Sequence, residues 1–357
     1  MSDYIEIKHE KINLEADRFG EGIHPREMLW FGGHGEQERA LLEAYQSGKL
    51  HHAWLFAGPE GIGKATLAYR FARFLLAHPD PSKAVVQEAH DLAVSPSNPV
   101  SGQVARLSHS DLGVIRCGFN KDKKTLQKVI SVEVVRDVVP IFQATAGAGG
   151  WRIIIVDSAD DLNRSSANAL LKMLEEPPEK AIFILIAHQP GLLLPTIRSR
   201  CRMLRLSALP DAVVADGLKR LANVGEPMLS EVVAGAEGSL RQALAMLDPD
   251  TASLRRETSK LLARISQEPG KALMRILDKT TGKAGEKAFE IVLDLVERQL
   301  RMGLDGNHSK SVLAARAELW EKLRRTARDV EAYNLDRRPF LLSIFSELAE
   351  IERRAAQ

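Results

Sequence analysis

The stretch GPEGIGKAT, from Gly58 to Thr66, decides how the rest of the chain is interpreted. Its three glycines and Lys64 fit a phosphate-binding loop, in which backbone N–H groups at a helix N-terminus face an anion. The strand-like AWLFA precedes the loop and the helical TLAYRFARFL follows it. Because this order of strand, loop and helix is the context that the motif requires, we predict a nucleotide-type loop. Its candidate contacts are Gly58, Gly61, Gly63 and Lys64.

One position of the loop departs from the pattern. Ala65 stands where such loops place a Ser or Thr whose hydroxyl holds magnesium. Thr66 does not replace that hydroxyl, because one step along a helix turns a side chain by about 100°. It remains a candidate contact to an α-phosphate. The loop therefore predicts that ATP or ADP binds while magnesium is poorly positioned.

The second half of an ATPase site is also incomplete. In IIIVDSAD, Asp157 ends an apolar stretch at the place of the carboxylate that serves magnesium, and a strand-end cap is its alternative role. Ser158 follows where ATPases usually carry the Glu that polarises the attacking water. A serine hydroxyl has no basicity near neutral pH. We therefore expect that the chain does not hydrolyse ATP itself.

Composition limits the class of protein. A length of 357 residues suits two or three domains, and a formal charge of +2 is too small to make nucleic acid the main partner. Cys117 and Cys201 lie far apart and form neither a disulfide framework nor a zinc site. The N-terminal stretch lacks the apolar core of a signal peptide, and no run is long enough to span a membrane. We expect a cytoplasmic protein with no membrane partner.

Apolar stretches that resemble strands alternate with helical patterns up to about residue 206. Short, continuous and partly β-branched runs of this kind are typical of parallel strands covered on both faces, so an α/β fold is predicted. Helical periodicity alone follows Pro210, and 79–108 is a turn-rich stretch expected to form a surface insertion. The predicted strands are 53–57, 112–117, 151–157, 181–187 and 202–206.

Several motifs together resemble one family. GPEGIGKAT, IIIVDSADDLN, SANALLKMLEEPP, LPTIRSRC and GSLRQAL occur in the order and spacing of bacterial clamp-loader AAA+ subunits, over about residues 24–250. This resemblance implies a RecA-like AAA+ P-loop domain with a parallel sheet at 1–206. It also implies a small helical lid domain at 207–250 and an all-helical C-terminal collar domain at 251–357.

The same resemblance assigns roles to two arginines. Arg200 of the SRC motif matches an arginine finger that reaches in trans into the ATP site of a neighbouring subunit, whereas its pattern alone is typical of a solvated edge strand. Arg241 of GSLRQAL matches the sensor-2 arginine over the subunit's own nucleotide, with a helix-surface arginine as the alternative. The implied partners are gamma/tau and delta subunits, with the sliding clamp and primed DNA contacted through the assembled complex.

Two departures from the family pattern refine this hypothesis. Family members commonly carry a four-cysteine zinc module after the P-loop helix, but 79–108 contains no cysteine and His78, His90 and His109 are scattered. We predict no zinc and no other metal site. His188 and Gln189 stand where motor subunits usually place a Thr or Asn as sensor 1, which again indicates a chain that does not hydrolyse ATP.

The sequence favours a non-hydrolysing stator but leaves two alternatives. An active ATPase, either a motor subunit of the gamma/tau type or a stand-alone AAA+ enzyme, would require Asp160 or Asp161 to orient the nucleophile. A DNA-binding module would use the arginines near 200, Arg255, Arg256 and the KLRR of 322–325, with non-specific contact at most.

Overall fold

The computed structural model describes residues 24–120, 125–127, 129–143, 150–222, 224–267, 270–282, 285–302, 309–332 and 335–355. The stretch 1–22, for which we expect no signal peptide, lies outside these described residues. The chain divides into two compact units, Met1–Ala243 and Leu244–Gln357. None of the described helices is long and apolar enough to cross a bilayer.

The described residues of the first unit form seven strands in two sheets. They are β1 (Ala53–Ala57), β2 (Leu112–Arg116), β3 (Phe119–Asn120), β4 (Thr125–Leu126), β5 (Arg152–Asp157), β6 (Ala181–Ala187) and β7 (Arg202–Arg205). Five of them make a parallel sheet in the order β2-β5-β6-β1-β7, which confirms the predicted α/β class. The predicted strands match these five to within one residue at each end. The antiparallel pair β3-β4 was not predicted.

Helices surround the sheet and continue to the end of the first unit. They are α1 (Gly35–Gln46), α2 (Lys64–Ala77), α3 (Ala84–Gln87), α4 (Pro99–Ala105), α5 (Val132–Asp137), α6 (Val139–Gln143), α7 (Arg164–Glu175), α8 (Pro195–Arg198), α9 (Asp211–Ala222), α10 (Glu226–Ala236) and α11 (Leu240–Ala245), which spans the boundary. Single turns of 3₁₀ helix follow β5 at Ala159–Asp161 and β6 at Pro190–Leu192.

The central strands are buried on both faces. Every residue of β1 and of β6 is buried, because helices cover the sheet on each side. Leu55 and Phe183 face a core completed by Leu170 and Leu174 of α7. α2 packs against β5 and β6. Along β1 and β6, polar side chains are therefore confined to the loops at the strand ends, where the candidate site lies.

The turn-rich stretch 79–108 is a packed part of the first unit. It contains α3 and α4, which bury Val86 and Val104, and α4 packs against α2. The carboxylate of Glu38 in α1 accepts a hydrogen bond from the backbone N–H of Leu92 at 2.9 Å. The abundant turn residues correctly indicated loops in this stretch, but the two short helices were not predicted.

The second unit contains only helices and turns among its described residues, as predicted for the C-terminal part. Its helices are α12 (Pro249–Leu262), α13 (Gly270–Lys279), α14 (Glu286–Met302), α15 (Lys310–Ala332) and α16 (Arg337–Ala355). Their apolar stripes enclose a core that includes Leu277, Phe289 and Leu348. The predicted domain boundaries at 206 and 250 stay predictions. The two compact units meet at residues 243 and 244, and α9 and α10 lie in the same unit as the sheet.

We expect Phe183→Ala to lower the free energy of unfolding of the first unit by about 3–5 kcal/mol, because it leaves a cavity in the centre of the sheet. Leu192→Ala is the control, since Leu192 is 50% exposed and should change stability by less than about 0.5 kcal/mol. Urea unfolding followed by tryptophan fluorescence measures both, because Trp30, Trp54 and Trp151 lie in this unit. Equal stabilities of the two variants would contradict the central position of β6.

Candidate functional site

The predicted phosphate loop connects β1 to α2. Gly58, Gly61 and Gly63 all have positive φ angles, and Gly63 is the N-cap of α2. A Cβ on Gly58 would overlap the carbonyl oxygen of Leu206, and one on Gly61 would lie 2.7 Å from the Cβ of Arg241. Two neighbouring segments thus approach the loop so closely that only glycine fits at these positions.

Lys64 is the first residue of α2 and is 3% exposed. Its Nζ donates a hydrogen bond to the carbonyl oxygen of Gly58 at 2.7 Å and another to that of Pro59. Burial lowers the pKa of Lys64 to about 8, against the opposing effect of the Glu60 and Asp157 carboxylates. The ammonium group therefore remains mostly protonated at pH 7 and lies against the inner side of the loop.

The groups that the loop offers suit the binding of a polyphosphate better than the binding of magnesium. The closely approached glycine backbone and Lys64 supply the donors that a phosphate needs. Ala65 and Thr66 occupy the first turn of α2, half-buried, and the methyl group of Ala65 offers no oxygen to a metal. Among the described residues, no group of three or more His, Cys, Asp or Glu side chains is placed to bind a metal ion.

Asp157 and Ser158 lie where β5 ends. Asp157 is the last residue of the strand and pairs in register with Arg116 of β2. Ser158 is buried, and its Oγ donates to Asp160 Oδ2 at 3.0 Å. The position that ATPases usually give to the water-polarising carboxylate is therefore filled by a hydroxyl that is already engaged in a structural hydrogen bond.

Asp160 joins the end of β5 to the end of β6. Its carboxylate accepts hydrogen bonds from the backbone N–H groups of His188 at 2.5 Å and Gln189 at 3.1 Å, in addition to that of Ser158. Three donors hold this carboxylate in a structural role. Asp160 is thus poorly placed to orient a nucleophile, the role that the ATPase alternative assigns to Asp160 or Asp161.

Asp161 faces the interior beneath the same turn. Its carboxylate accepts a hydrogen bond from the Cys117 thiol at 3.7 Å, and its backbone oxygen accepts one from the N–H of Ile130. Burial, helped by the charge of Asp160, raises the pKa of Asp161 to about 6. Burial also raises the pKa of the Cys117 thiol to about 12.

His188 and Gln189 follow β6 at the same edge of the sheet. His188 Nδ1 and Gln189 Oε1 are buried and have no hydrogen-bond partner among the described residues. Burial, and then the charge of Lys64, lower the pKa of His188, so its imidazole is neutral at pH 7. Two polar atoms near the loop are thus available to a bound group.

Arg241 contacts the loop, and its sensor-2 role stays a prediction. Its backbone N–H donates to the carbonyl oxygen of Gly61 at 3.2 Å. Its guanidinium Nη1 lies 2.5 Å from Glu60 Oε1. The role of Glu60 was missed from the sequence, although an acidic residue between the glycines of an anion-binding loop was a visible signal.

Arg200 lies outside the edge strand, in the turn between α8 and β7. Its Nη2 makes a 2.8 Å ion pair with Glu175 at the end of α7, and its Nη1 donates to the carbonyl oxygen of Thr196. The side chain is 36% exposed. The neighbouring Arg202 does belong to β7 and stacks over the ring of Trp54, 4.9 Å from its centroid.

Three of the cations considered for DNA contact have carboxylate or aromatic partners. Arg255 makes a 3.0 Å ion pair with Asp294, and Lys322 pairs with Glu347. Arg324 stacks over Trp320.

The fold and the loop define a class of protein. A parallel α/β sheet whose first strand leads through a glycine-rich loop into a helix is the arrangement of P-loop proteins.

Comparison with known proteins identifies the family. A family model described as "DNA polymerase III, delta subunit" matches residues 33–210. DNA polymerase III subunit delta' of Pseudomonas aeruginosa is 35% identical over 190 residues, which cover 53% of each chain. Subunit tau/gamma of Haemophilus influenzae is 27% identical over 286 residues, 71% of this chain and 39% of the relative. The chain belongs to the clamp-loader AAA+ family of DNA polymerase III subunits.

The matches cover only part of these relatives, 39–53% of their length. A solved structure of a gamma subunit-related protein from Thermotoga maritima aligns with 89% of this chain and 99% of its own chain, at 18% identity and a TM-score of 0.44.

The raised pKa of Asp161 leads to a pH-dependent prediction. Because the folded pKa of about 6 lies above the ordinary value of 3.8, the stability that the neutral carboxyl contributes is present below about pH 4. It is lost as the pH rises through 6. We expect Asp161→Asn to raise the free energy of unfolding at pH 7.5 by about 1–3 kcal/mol, and to raise it less at pH 5.

Urea unfolding at the two pH values measures this effect, and Asp137→Asn, at an exposed position, serves as the control. The control should keep the pH dependence of the wild-type chain. A destabilised Asp161→Asn variant at pH 7.5 would contradict the electrostatic account.

Proposed function

We propose that this chain is a delta-prime-type stator of a DNA polymerase III clamp loader. In this role it helps to load a sliding clamp onto primed DNA, and it contributes Arg200 in trans to the ATP site of a neighbouring subunit. The family membership and the delta' and tau/gamma relatives support the proposal.

One observation carries the choice of a stator over a motor. Ser158 occupies the position of the catalytic carboxylate, and its hydroxyl is held by Asp160, which is itself held by two backbone N–H groups. No carboxylate of this turn is left in position to polarise water, since Asp161 faces Cys117. Together with Ala65, which cannot hold magnesium, this arrangement removes two independent parts of the hydrolytic machinery.

The loop retains a role in binding under this proposal. Backbone N–H groups of the glycine-rich loop and Lys64 would hold the phosphates of ATP or ADP, with Thr66, Asp157 and Arg241 close by. A nucleotide held without hydrolysis adds the free energy of its binding to the stability of the first unit. The bound nucleotide would thus serve as a structural element of the subunit.

The surroundings of Arg200 suit a residue that acts on a neighbour. Its contact with Glu175 is a half-exposed ion pair, worth about 0–1 kcal/mol, and so costs little to replace. An arginine finger changes the hydrolysis rate by about 10³–10⁵, which corresponds to roughly 4–7 kcal/mol. The gain in the transition state at a neighbour's triphosphate would therefore outweigh the loss of Glu175 as the partner of the guanidinium.

The proposed partners follow from the same assignment. Gamma/tau subunits would receive Arg200, and a delta subunit would complete the ring. The helices α12–α16 would pack against the corresponding helices of these subunits as a collar. The sliding clamp and primed DNA would be contacted by the assembled complex.

The decisive experiment is ATP hydrolysis by a clamp loader reconstituted from the organism's own subunits, with primed DNA and sliding clamp. We expect Arg200→Ala to lower turnover at the adjacent site by about 10³-fold or more, because the transition-state charge loses its cation. Arg205→Ala removes an exposed arginine from the nearby strand β7 and should leave the rate unchanged.

Assembly of each variant is verified first by size-exclusion chromatography, so that a lost subunit is not mistaken for lost catalysis. Wild-type turnover by a fully assembled Arg200→Ala complex would overturn the role of Arg200. An equal loss in both variants would indicate a general effect of surface charge and would also contradict the proposal.

A further inference from the structure

Glu60 places a negative charge inside the phosphate loop. It lies between Pro59 and Gly61, its side chain is 57% exposed, and its Oε1 lies 2.5 Å from Nη1 of Arg241. Loops of this kind hold anions because backbone N–H groups and a helix N-terminus create positive potential. A carboxylate within the loop opposes that potential.

The ion pair is supported by contacts between the backbones. The N–H of Arg241 donates to the carbonyl oxygen of Gly61, and a Cβ on Gly61 would meet both Arg241 and Ser239. The loop and the start of α11 thus touch directly at Gly61. Glu60 and Arg241 remain within reach of each other as long as this contact holds.

The charge of Glu60 acts on Lys64 as well. Among the charges that oppose the effect of burial on the pKa of Lys64, the Glu60 carboxylate has the largest influence. Burial acts to raise the pKa of Glu60, but the opposing charges of its neighbours, of which Arg241 has the largest influence, outweigh burial and the pKa is lowered. Glu60 is therefore ionised at neutral pH and competes with a phosphate for both cations of the loop.

A triphosphate needs more positive charge than this loop supplies. It carries one negative charge more than the diphosphate, and P-loop sites usually offset that charge with magnesium bound by a Ser or Thr hydroxyl. Ala65 removes the hydroxyl, and Glu60 neutralises the guanidinium of Arg241. Magnesium and the guanidinium of Arg241, which would both offset the negative charge of the third phosphate, are thus weakened together.

We infer that Glu60 is a specificity-determining residue that makes this loop select a nucleoside diphosphate over the corresponding triphosphate. The inference rests on the nucleotide site of the proposed function and adds the class of ligand that the site retains.

Isothermal titration of the full chain with ADP and with ATP, both in EDTA, tests this selectivity. The wild-type chain should bind ADP about tenfold more tightly than ATP, as one uncompensated charge at this range implies. Glu60→Gln keeps the shape of the side chain and removes its charge, so the two affinities should come within about twofold of each other. Glu88→Gln, at an exposed position of the 79–108 stretch, should keep the wild-type ratio.

A second pair of variants tests whether Glu60 acts through Arg241. In the Glu60→Gln background, adding Arg241→Gln should weaken ATP more than ADP, because the guanidinium released from Glu60 would otherwise offset the charge of the third phosphate. An equal loss of affinity for both nucleotides would contradict this coupling. Circular dichroism of each variant verifies that it is folded before titration.

The outcomes distinguish this inference from the proposed function. Equal affinities for ADP and ATP in the wild-type chain, or an unchanged ratio in Glu60→Gln, would overturn the role of Glu60 and leave the nucleotide site in place. If the chain bound neither nucleotide, both the role of Glu60 and the nucleotide site would be overturned. The role of Arg200 is independent of these results, because it is measured as turnover at a neighbouring subunit.

Discussion

Burial of the three central strands on both faces is the constraint on which the first unit depends. β1, β5 and β6 are almost wholly apolar, so polar side chains can lie only where these strands end. In a parallel sheet the carboxyl ends of neighbouring strands meet at one edge. The phosphate loop after β1, Asp157 at the end of β5 and His188 after β6 are therefore brought together, and Asp160 bonds the last two segments to each other.

Under the proposed function, the same edge keeps a phosphate-binding architecture without the parts that hydrolysis needs. The binding groups of the glycines and Lys64 are positioned by the backbone of the loop. The close contacts at Gly58 and Gly61 restrict the conformation of that backbone. Magnesium and the attacking water depend on two individual side-chain groups, and Ala65 and Ser158 supply neither. The glycines and Lys64 contribute to the stability of the fold whether or not ATP is hydrolysed at the loop.

The sequence predicted the sheet well because the strands are continuous apolar runs between turn residues. The strands at 53–57 and 181–187 agree with the structure at both ends. The helices within 79–108 were missed because they are short and rich in turn-forming residues. The Glu60–Arg241 pair could not be predicted, since it joins residues 181 positions apart and depends on how α11 meets the loop. The three hydrogen bonds of Asp160 were hidden for the same reason, because two of their donors are backbone groups after β6.

The central claim is that this chain serves the chemistry of a neighbour and performs none at its own loop. The measurement that tests it most directly is ATP hydrolysis by the isolated full chain, with Lys64→Ala as the control that removes the loop's cation. The account predicts that wild-type turnover does not exceed that of Lys64→Ala. Turnover by the wild-type chain that Lys64→Ala abolishes would contradict it, because the loop would then support catalysis without the hydroxyl of residue 65 and the carboxylate of residue 158.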